Sequence, residues 1–415
     1  MARSVAAVRS ALAKTACLAW LVLLGVPGVA NAKVDLLELP SLIVPKAASA
    51  LMLDIAVRGN HVIAVGDHGV ILHHVTGQKA PAGAVQDTTG VWWKQAQVPV
   101  SVNLTAVAFA SGTRVFAVGH DGVVLRSNDT GATWQKVFDG NASNQQMLAM
   151  AQNSLNAFEL QAASQRQALV NKPTPEGRQR LQKLEDELEE KRFAFEDAQA
   201  GARFGPARPM LDVWFKDDMA GWVVGSYGQI FQTTDGGNTF ALIASRLNNP
   251  DFRHYNGLYG DQTGLLIITG EAGRVYVSED FAGSWRRYDT GYTGQLYGAA
   301  VLRDAQGKKT LVVYGFAGTL LRLDSGSDTW RKVQTPTDKS IVDSLTLIDG
   351  LLFIDQNARL LKTDEVGNNV RFVSKVEGKL TTGISFANNH LYLSAQGGPR
   401  QLQFPSFSKK TASQP

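Results

Sequence analysis

The phrase SNDTGATW at residues 127–134 decides the fold, because variants of it occur four times along the chain. A close copy, TTDGGNTF, occupies residues 233–240, and less regular copies, SEDFAGSW and LDSGSDTW, occupy residues 278–285 and 323–330. An aspartate followed by glycine favours a tight turn, because the carboxylate binds backbone amides and glycine accepts a positive φ. The closing aromatic residue is typical of a strand that anchors such a turn to a core. The phrase therefore predicts a recurring β-hairpin.

The repeated phrase resembles the Asp-box, or bacterial neuraminidase repeat, a structural signature that implies no catalysis by itself. The residues assigned to this structural role are Ser127, Asp129, Gly131, Trp134, Thr233, Asp235, Gly237, Phe240, Ser278, Asp280, Trp285 and Trp330. We expect their carboxylates to stabilise turns at the periphery of the fold, and no catalytic residue is assigned among them.

A second pattern, in which Gly-x-x-Gly separates two short apolar runs, predicts further hairpins and gives the number of repeats. It reads VGDHGVIL at 65–72, VGHDGVVL at 118–125, VGSYGQIF at 224–231, TGEAGRVY at 269–276 and YGFAGTLL at 314–321, with decayed forms at 354–361 and 394–402. Successive copies lie roughly 40 to 53 residues apart, except for one gap about twice as long, and this period is typical of four-stranded propeller blades. The sequence predicts an all-β, seven-bladed β-propeller.

Each blade is expected to open with an inner strand of the form apolar-x-x-apolar-x-apolar. The third residues of these strands are read as Asp54, Ala106, Asp212, Gly257, Gly298, Ser344 and Gly383. All seven are small, as expected where inner strands converge on a crowded axis. The last blade lacks a closing aromatic strand, so VDLLEL at residues 34–39 is predicted to supply its outer strand and close the ring.

The long gap between the second and third Gly-x-x-Gly patterns predicts an α-helical hairpin inserted into the propeller. Apolar residues recur at three-four spacing from Asn144 to about Val170, and a second apolar seam follows Pro175, with Thr174 as its N-cap. Two interpretations stay open. The helices pack only on each other, or they form an arm that docks a partner helix or covers one face of the ring.

The N-terminus is typical of a secretory signal, with basic residues, an apolar run and small residues at Ala30 and Ala32. We therefore expect a periplasmic protein; an uncleaved membrane anchor is the alternative. The predicted organisation is a signal peptide at 1–32, blades 1–2 with the closing strand at 33–143, the hairpin at 144–207, blades 3–7 at 208–405 and a disordered tail at 406–415.

Composition argues against several classes of function. The only cysteine, Cys17, lies in the predicted signal, so the mature chain has no disulfide, thiolate metal site or cysteine nucleophile. The signal holds three of the 41 basic residues and none of the 37 acidic ones, which leaves the mature chain nearly neutral and argues against nucleic-acid binding. Phosphate-binding glycine loops and nucleophile elbows do not occur in the sequence, so no cofactor is expected.

Three acids of the inner strands, Asp54, Asp212 and Asp343, are expected to gather at the mouth of the central channel. Paired carboxylates act as general acid and base in glycosidases. Catalysis, binding of a cation or water cluster, and solvation of a polar channel are all open interpretations. A sialidase would also need an arginine triad and a Phe-Arg-Ile-Pro phrase, and the nearest sequence, FRH at residues 252–254, lacks Ile-Pro.

Four histidines, His61, His68, His73 and His74, lie close together in the sequence. Histidines of one hairpin can bind zinc. However, His73 and His74 are adjacent and point to opposite faces of a strand. No metal site is predicted.

The sequences GWVVGSYG at 221–228 and TTDGGNTF at 233–240 are similar to the photosystem II stability/assembly factor family, over about residues 50 to 400 apart from the hairpin. The resemblance implies a propeller without enzymatic activity that binds a membrane-protein assembly intermediate. Exported relatives also resemble accessory proteins of resistance-nodulation-division (RND) exporters.

The resulting hypothesis is a non-catalytic, monomeric scaffold for an integral membrane protein, with no small-molecule substrate. Its tentative partner-binding residues are Arg286, Arg287 and Arg322, which belong to a basic C-terminal half. A carbohydrate-binding or glycoside-hydrolysing propeller of sialidase type, acting through the channel acids, is the alternative.

Overall fold

The computed structural model describes residues 35–170, 174–377 and 380–404 of the 415-residue chain. The predicted signal peptide at 1–32 and the predicted tail at 406–415 lie outside the described residues. Within these described ranges, none of the helices is both long and apolar enough to span a bilayer.

The described residues form seven antiparallel sheets, which fit the seven predicted blades. Blade 1 contains β1 (Met52–Arg58), β2 (His61–Gly66), β3 (Ile71–Val75), β4 (Val85–Gln86) and β5 (Trp92–Gln95). Blade 2 contains β6 (Leu104–Phe109), β7 (Val115–Gly119), β8 (Val124–Ser127) and β9 (Gln135–Phe138). Blade 3 contains β10 (Met210–Phe215), β11 (Gly221–Gly225), β12 (Ile230–Thr233) and β13 (Ala241–Leu242). Blade 4 contains β14 (Tyr255–Gly260), β15 (Leu266–Gly270), β16 (Arg274–Ser278) and β17 (Arg286–Asp289).

Blades 5 to 7 complete the set. Blade 5 contains β18 (Leu296–Arg303), β19 (Lys309–Gly315), β20 (Leu320–Asp324) and β21 (Arg331–Lys332). Blade 6 contains β22 (Ile341–Leu347), β23 (Gly350–Asp355), β24 (Arg359–Thr363) and β25 (Val370–Lys375). Blade 7 contains β26 (Thr381–Ala387), β27 (His390–Ala395) and β28 (Arg400–Gln403). Blade 1 has five strands in the order β1-β2-β3-β5-β4, and blade 7 has three, whereas the other sheets have four strands in chain order.

The sheets form a closed ring, because a cluster of buried apolar side chains fills each of the seven junctions between successive blades in the described part of the chain. At the junction between the last and first blades, Ala387 and Tyr392 pack with Met52 and Ile55. The hydroxyl of Thr382 also donates to the carbonyl of Met52 at 2.8 Å. Apolar packing and this bond therefore join the two ends of the propeller.

The prediction that residues 34–39 supply the outer strand of blade 7 is wrong for the described residues 35–39. They form turns and no strand. The backbone N–H of Ser101 donates to the carbonyl of Leu36 at 2.8 Å, and Leu37 is buried in the cluster between blades 1 and 2. Burial of Leu37 holds the segment at that junction, and blade 7 keeps three strands.

The Gly-x-x-Gly patterns form tight turns between the second and third strands of blades 1 to 5. The residue before the second glycine has a φ near +55°, for example 53° at His68 and 56° at Tyr227, and the glycine itself has a φ near +70°. Two successive positive φ values define the type I′ turn, which suits the twist of a hairpin. A Cβ at Gly69 would stand 2.2 Å from the carbonyl oxygen of Val100, so only glycine fits.

The phrases at 127–134, 233–240 and 278–285 form one hydrogen-bonded turn between the third and fourth strands of blades 2, 3 and 4. In blade 3, the Thr233 hydroxyl donates to Asp235 Oδ1 at 2.9 Å and accepts from the N–H of Gly237 at 2.9 Å. Asp235 also accepts from the backbone N–H and the hydroxyl of Thr239. The same bonds recur around Asp129 and Asp280.

These turns also contact the preceding blade. Gly237 lies so close to Phe116 of blade 2 that a Cβ would stand 2.5 Å from the ring. The guanidinium of Arg126, on β8, donates to the Gly236 carbonyl at 2.9 Å and to Asn238 Oδ1 at 2.8 Å. Each turn therefore supports a junction between blades at the periphery.

The phrase at 323–330 does not form this turn. Leu323 stands where the other copies carry serine or threonine, and the Asp324 carboxylate binds the guanidinium groups of Arg322 and Arg331. The closing residue Trp330 is nevertheless buried in the cluster between blades 4 and 5.

Helices α1 (Gly140–Val170) and α2 (Pro175–Phe204) form the hairpin between β9 and β10 and pack along each other. Helix α1 begins earlier than predicted, because the Asp139 carboxylate accepts from the N–H groups of Asn141 and Ala142 at 3.0 and 3.2 Å and caps the helix. Thr174 caps α2 as predicted, accepting from the N–H of Gly177 at 3.0 Å.

The base of the hairpin is fixed to the outer edge of blade 3. The side-chain amide of Gln146 donates to the carbonyl of Phe240 and accepts from the N–H of Leu242, both at 2.8 Å. The amide therefore pairs with the backbone around β13 as a further strand would.

Replacement of Thr382 by valine tests the closing junction. The variant Thr382→Val keeps the side-chain shape and removes the hydroxyl that bonds to Met52, so we expect the free energy of unfolding to fall by about 1 kcal/mol. The control is Thr346→Val, because Thr346 is exposed and makes no side-chain hydrogen bond to the described residues. Equal unfolding energies of the two variants in urea titrations would contradict a contribution of this bond to closure.

Candidate functional site

Every inner strand carries an irregularity that turns its third residue toward the axis. In each strand the pairing register shifts between the first and third residues, as between Met52 and Asp54 or between Ile341 and Asp343. The assignment of Ser344 as the third residue of blade 6 was therefore wrong by one position. The third residues are Asp54, Ala106, Asp212, Gly257, Gly298, Asp343 and Gly383.

The three channel acids bridge neighbouring blades. Asp54 accepts from its neighbour Ile55 N–H at 2.7 Å and from Val107 N–H of blade 2 at 2.8 Å. Asp212 repeats this with the N–H of Val213 and of Leu258 in blade 4, both at 2.7 Å. Each carboxylate thus satisfies a backbone donor of the next inner strand.

Asp343 makes the same arrangement at the junction of blades 6 and 7. Its carboxylate accepts from Ser344 N–H at 2.7 Å and from Ile384 N–H at 2.8 Å. The structure therefore brings the three predicted channel acids to one level of the axis.

The other four junctions use hydroxyl and amide groups at the same level. Thr105 donates to the carbonyl of Met210 at 2.7 Å, Asn256 donates to that of Leu296 at 3.0 Å, and Thr382 bonds to blade 1. At the junction of blades 5 and 6, the Ser344 and Tyr314 hydroxyls are hydrogen-bonded at 3.2 Å. Side-chain hydrogen bonds thus run around the whole axis.

The acids line a central cavity of about 590 Å³. Burial raises the pKa of Asp212 to about 8, and the negative charges of Asp54 and Asp343 add to this rise. Burial likewise raises the pKa of Asp343 to about 7 and that of Asp54 to about 6, although the backbone N–H bonds favour ionised carboxylates. The cavity therefore holds acids that titrate near neutral pH.

The cavity wall offers hydroxyl, amide and carboxyl groups, and none of its described lining residues is arginine, lysine or histidine. A protonated Asp212 beside an ionised Asp54 could donate and accept protons. A bound carboxylate substrate would find no cationic group on the described wall.

The predicted arginines form ion pairs and hydrogen bonds within and between blades. Arg286 pairs with Asp328 at 2.7 Å, and Arg287 pairs with Asp289 at 3.2 Å. The guanidinium of Arg322 is buried and bonded to Asp324 and to the loop at residues 366–368. Arg322 is thus not exposed to a partner, whereas Arg286 is.

All four histidines lie in blade 1, three on its strands and His68 in the turn between β2 and β3. The ring nitrogens of His61 and His73 are 3.0 Å apart in stacked rings, and burial lowers the pKa of His73 to about 4. His74 faces away and bonds to the carbonyl of Trp92 at 2.8 Å. The described residues contain no group of three or more acidic, histidine or cysteine side chains placed to hold a metal ion.

One face of the ring carries the Gly-x-x-Gly turns and the hairpin; we call it the turn face. The second strand of each blade ends opposite the start of the inner strand, as in the pairing of Gly66 with Met52. The turns and the connections between blades therefore share this end. Tyr227 and Phe316 lie in two of these turns with 45% and 53% of their surfaces exposed.

The sequence did not predict a groove on this face, between the hairpin and blades 3 and 4. This hairpin groove has a volume of about 560 Å³ and is lined by Met147, Met150, Phe193, Tyr227, Leu247 and Phe252, among others. Phe193 is 71% exposed, and Phe252 is 42% exposed in a loop where its φ of 50° is unfavourable for a bulky residue. The groove depends on how the hairpin docks, for which the local patterns give no signal.

Polar contacts hold the wall of the hairpin groove. The Arg208 guanidinium lies 5.0 Å from the centre of the Tyr227 ring and pairs with Asp197 of α2 at 2.9 Å. This arrangement joins the helix to the turn of blade 3 and keeps apolar side chains facing the groove.

The comparison with solved structures shows the propeller fold. A structure described as YCF48 bound to D1 peptide is similar to this chain with a TM-score of 0.54 at 12% sequence identity, covering 88% of this chain and 99% of that one. YCF48 from Cyanidioschyzon merolae gives 0.50 at 14%, covering 85% and 95%. The WD40 β-propeller domain of Doa1 gives 0.53 at 7%, covering 85% and 92%. No protein-family model matches the sequence, and no curated protein matches it significantly.

The channel acids predict an unusual dependence of stability on pH. The native pKa of Asp212, about 8, lies above its ordinary value of 3.8, so the folded state binds more protons between these values. The free energy of unfolding should therefore fall as pH rises from 5 to 8, by at least about 1 kcal/mol. Asp212→Asn, which cannot titrate, should flatten this slope in chemical denaturation experiments.

Asp235→Asn is the control for this experiment, because hydrogen bonds lower the pKa of Asp235 to about 2, outside the pH window. This variant should keep the wild-type slope whatever its absolute stability. A wild-type stability that rises from pH 5 to 8 would contradict the assignment of raised pKa values to the channel.

Proposed function

We propose that this protein is a non-catalytic propeller scaffold that binds an integral membrane protein during assembly of a larger complex. The observation that carries the proposal is the hairpin groove, where exposed aromatic side chains of the hairpin and of blades 3 and 4 converge beside the buried Met147 and the half-buried Met150. Apolar surface gathered in one concave site is typical of a protein-binding surface.

Two further observations support a scaffold. The similar fold YCF48, a photosystem II assembly factor, has been solved with a D1 peptide bound. The channel acids are used in hydrogen bonds between blades, which gives them a structural role that needs no substrate.

We place the site of action in the periplasm, because the N-terminal sequence is typical of a secretory signal. The proposed client is an integral membrane protein, and in a bacterium without photosystems it is a component of an RND-type exporter. An apolar segment of the client would occupy the hairpin groove, with Phe193 and Tyr227 as its main contacts.

Site-specific cross-linking tests this function. A photoreactive amino acid at position 193 should cross-link to an integral membrane protein in envelopes of the source organism, because this side chain faces the groove. Phe193→Ser should weaken binding to that partner at least about tenfold, as expected for an exposed aromatic anchor.

Phe204 provides the matched control, because it is an exposed phenylalanine on the same helix, 86% accessible, that does not line the groove. A photoreactive amino acid at position 204 should give no adduct with the partner. Phe204→Ser should not weaken binding to the partner. Equal effects at the two positions would contradict the groove as the client site.

A carbohydrate-active propeller is the second candidate, and the observation in its favour is the raised pKa of Asp212 beside other acids. Glycosidases use such a protonated acid with an ionised partner. Turnover of any substrate in a glycoside panel, lost in Asp212→Asn and retained in Asp235→Asn, would replace the scaffold proposal.

A further inference from the structure

The free edge of blade 7 forms a second candidate binding site, distinct from the hairpin groove. Six blades carry at least four strands, whereas blade 7 ends at β28 within the described residues. Outside β28, where other blades hold their outer strand, lies a cavity of about 1170 Å³, roughly twice the volume of the central one.

The register of β28 shows which backbone groups face this cavity. The N–H of Phe404 donates to the carbonyl of Asn389 at 2.8 Å, and antiparallel pairs alternate between bonded and non-bonded positions. Leu402 and Arg400 therefore bond toward β27, while the N–H and C=O of Gln401 and Gln403 point outward. No hydrogen bond to these outward groups occurs among the described residues.

The walls of the cavity suit an extended peptide. The end of β25 and the following residues, including Lys375 and Val376, form one side, and Thr88 and Thr89 of blade 1 form the other. The partly exposed Leu402 provides apolar surface at its base, over the buried Leu391. The space is thus bounded on both sides, as an outer strand requires.

The charge of this site favours an acidic occupant. Lys375 and Arg400 line the cavity together with one acid, Glu377, so its charged lining carries a net positive charge. The Arg400 guanidinium donates to the carbonyl of Glu377, but its buried Nε has no hydrogen-bond partner among the described residues. A carboxylate beside β28 would lie next to the guanidinium of Arg400 and the ammonium of Lys375.

We propose that blade 7 is a strand-acceptor site, in which an extended, acidic segment of a partner protein adds to β28 as the missing fourth strand. The outward groups of Gln401 and Gln403 bond to the backbone of the segment, an apolar side chain of the segment contacts Leu402, and an acidic side chain pairs with Arg400. Strand addition to an exposed sheet edge is an established mode of peptide recognition.

The test uses a random twelve-residue peptide library displayed on phage and selected on the purified protein. We expect selected peptides to contain a short stretch of alternating apolar and polar residues with at least one acid. Binding of such a peptide should slow hydrogen exchange at the amides of Gln401 and Gln403, which should exchange rapidly in the free protein.

Substitution at Gln401 separates backbone from side-chain effects. Gln401→Pro removes an outward N–H and no bond to β27, because the N–H of Gln401 points away from β27. Proline is tolerated at such an edge position. It should weaken peptide binding at least about tenfold, whereas Gln401→Ala, which keeps the N–H, should change affinity less than about twofold. If Gln401→Pro unfolds, the exchange measurement on the unaltered protein decides.

Several outcomes would overturn the proposal. Protection of both amides without peptide would show that the chain itself or a second copy already covers the edge. Equal peptide binding by Gln401→Pro and Gln401→Ala, or a library that yields no peptide protecting these amides, would exclude strand addition. None of these results depends on the membrane-protein client, so this proposal and the proposed function fail independently.

Discussion

The fold depends on satisfying the backbone where seven inner strands converge on one axis. At this level the sheets cannot pair with one another as strands do, so side chains must bridge them. Asp54, Asp212 and Asp343 accept from the next blade, while Thr105, Asn256 and Thr382 donate to its carbonyl groups. Buried donors and acceptors without partners are costly. This ring of bonds therefore complements the apolar packing of the seven junctions.

The same constraint separates structure from function. Carboxylates that bridge blades in a central cavity acquire raised pKa values, and in this respect they resemble catalytic acids. Their hydrogen bonds to the next blade nevertheless give them a structural role. The periphery is held by the repeated Asp-containing turns, which contact the preceding blade. The turn face and the outer edge of blade 7 are less constrained, and the exposed apolar and unpaired backbone groups occur there.

Repetition explains how much of this could be predicted. The period and the Gly-x-x-Gly turns predicted seven sheets, and the apolar spacing with the Thr174 cap predicted the helical insert. Residues 35–39 were assigned to the wrong blade because an apolar segment carries no information on which junction buries Leu37. Ser344 was misplaced by one residue because a register shift leaves no signature in a single strand. The hairpin groove arises only from docking between distant segments. Arg322 was assigned to a partner because the loop at residues 366–368 that covers it belongs to the next blade and is not recognisable from the sequence around Arg322.

Hydrogen exchange at the amides of Val107, Leu258 and Ile384 measures the ring of bonds most directly, because these groups donate to the three channel acids at different junctions. In a ring closed between blades 7 and 1, all three amides should exchange with the same opening free energy, equal to that of global unfolding. Exchange of Ile384 with a much lower opening free energy than Val107 and Leu258 would contradict closure by these interactions.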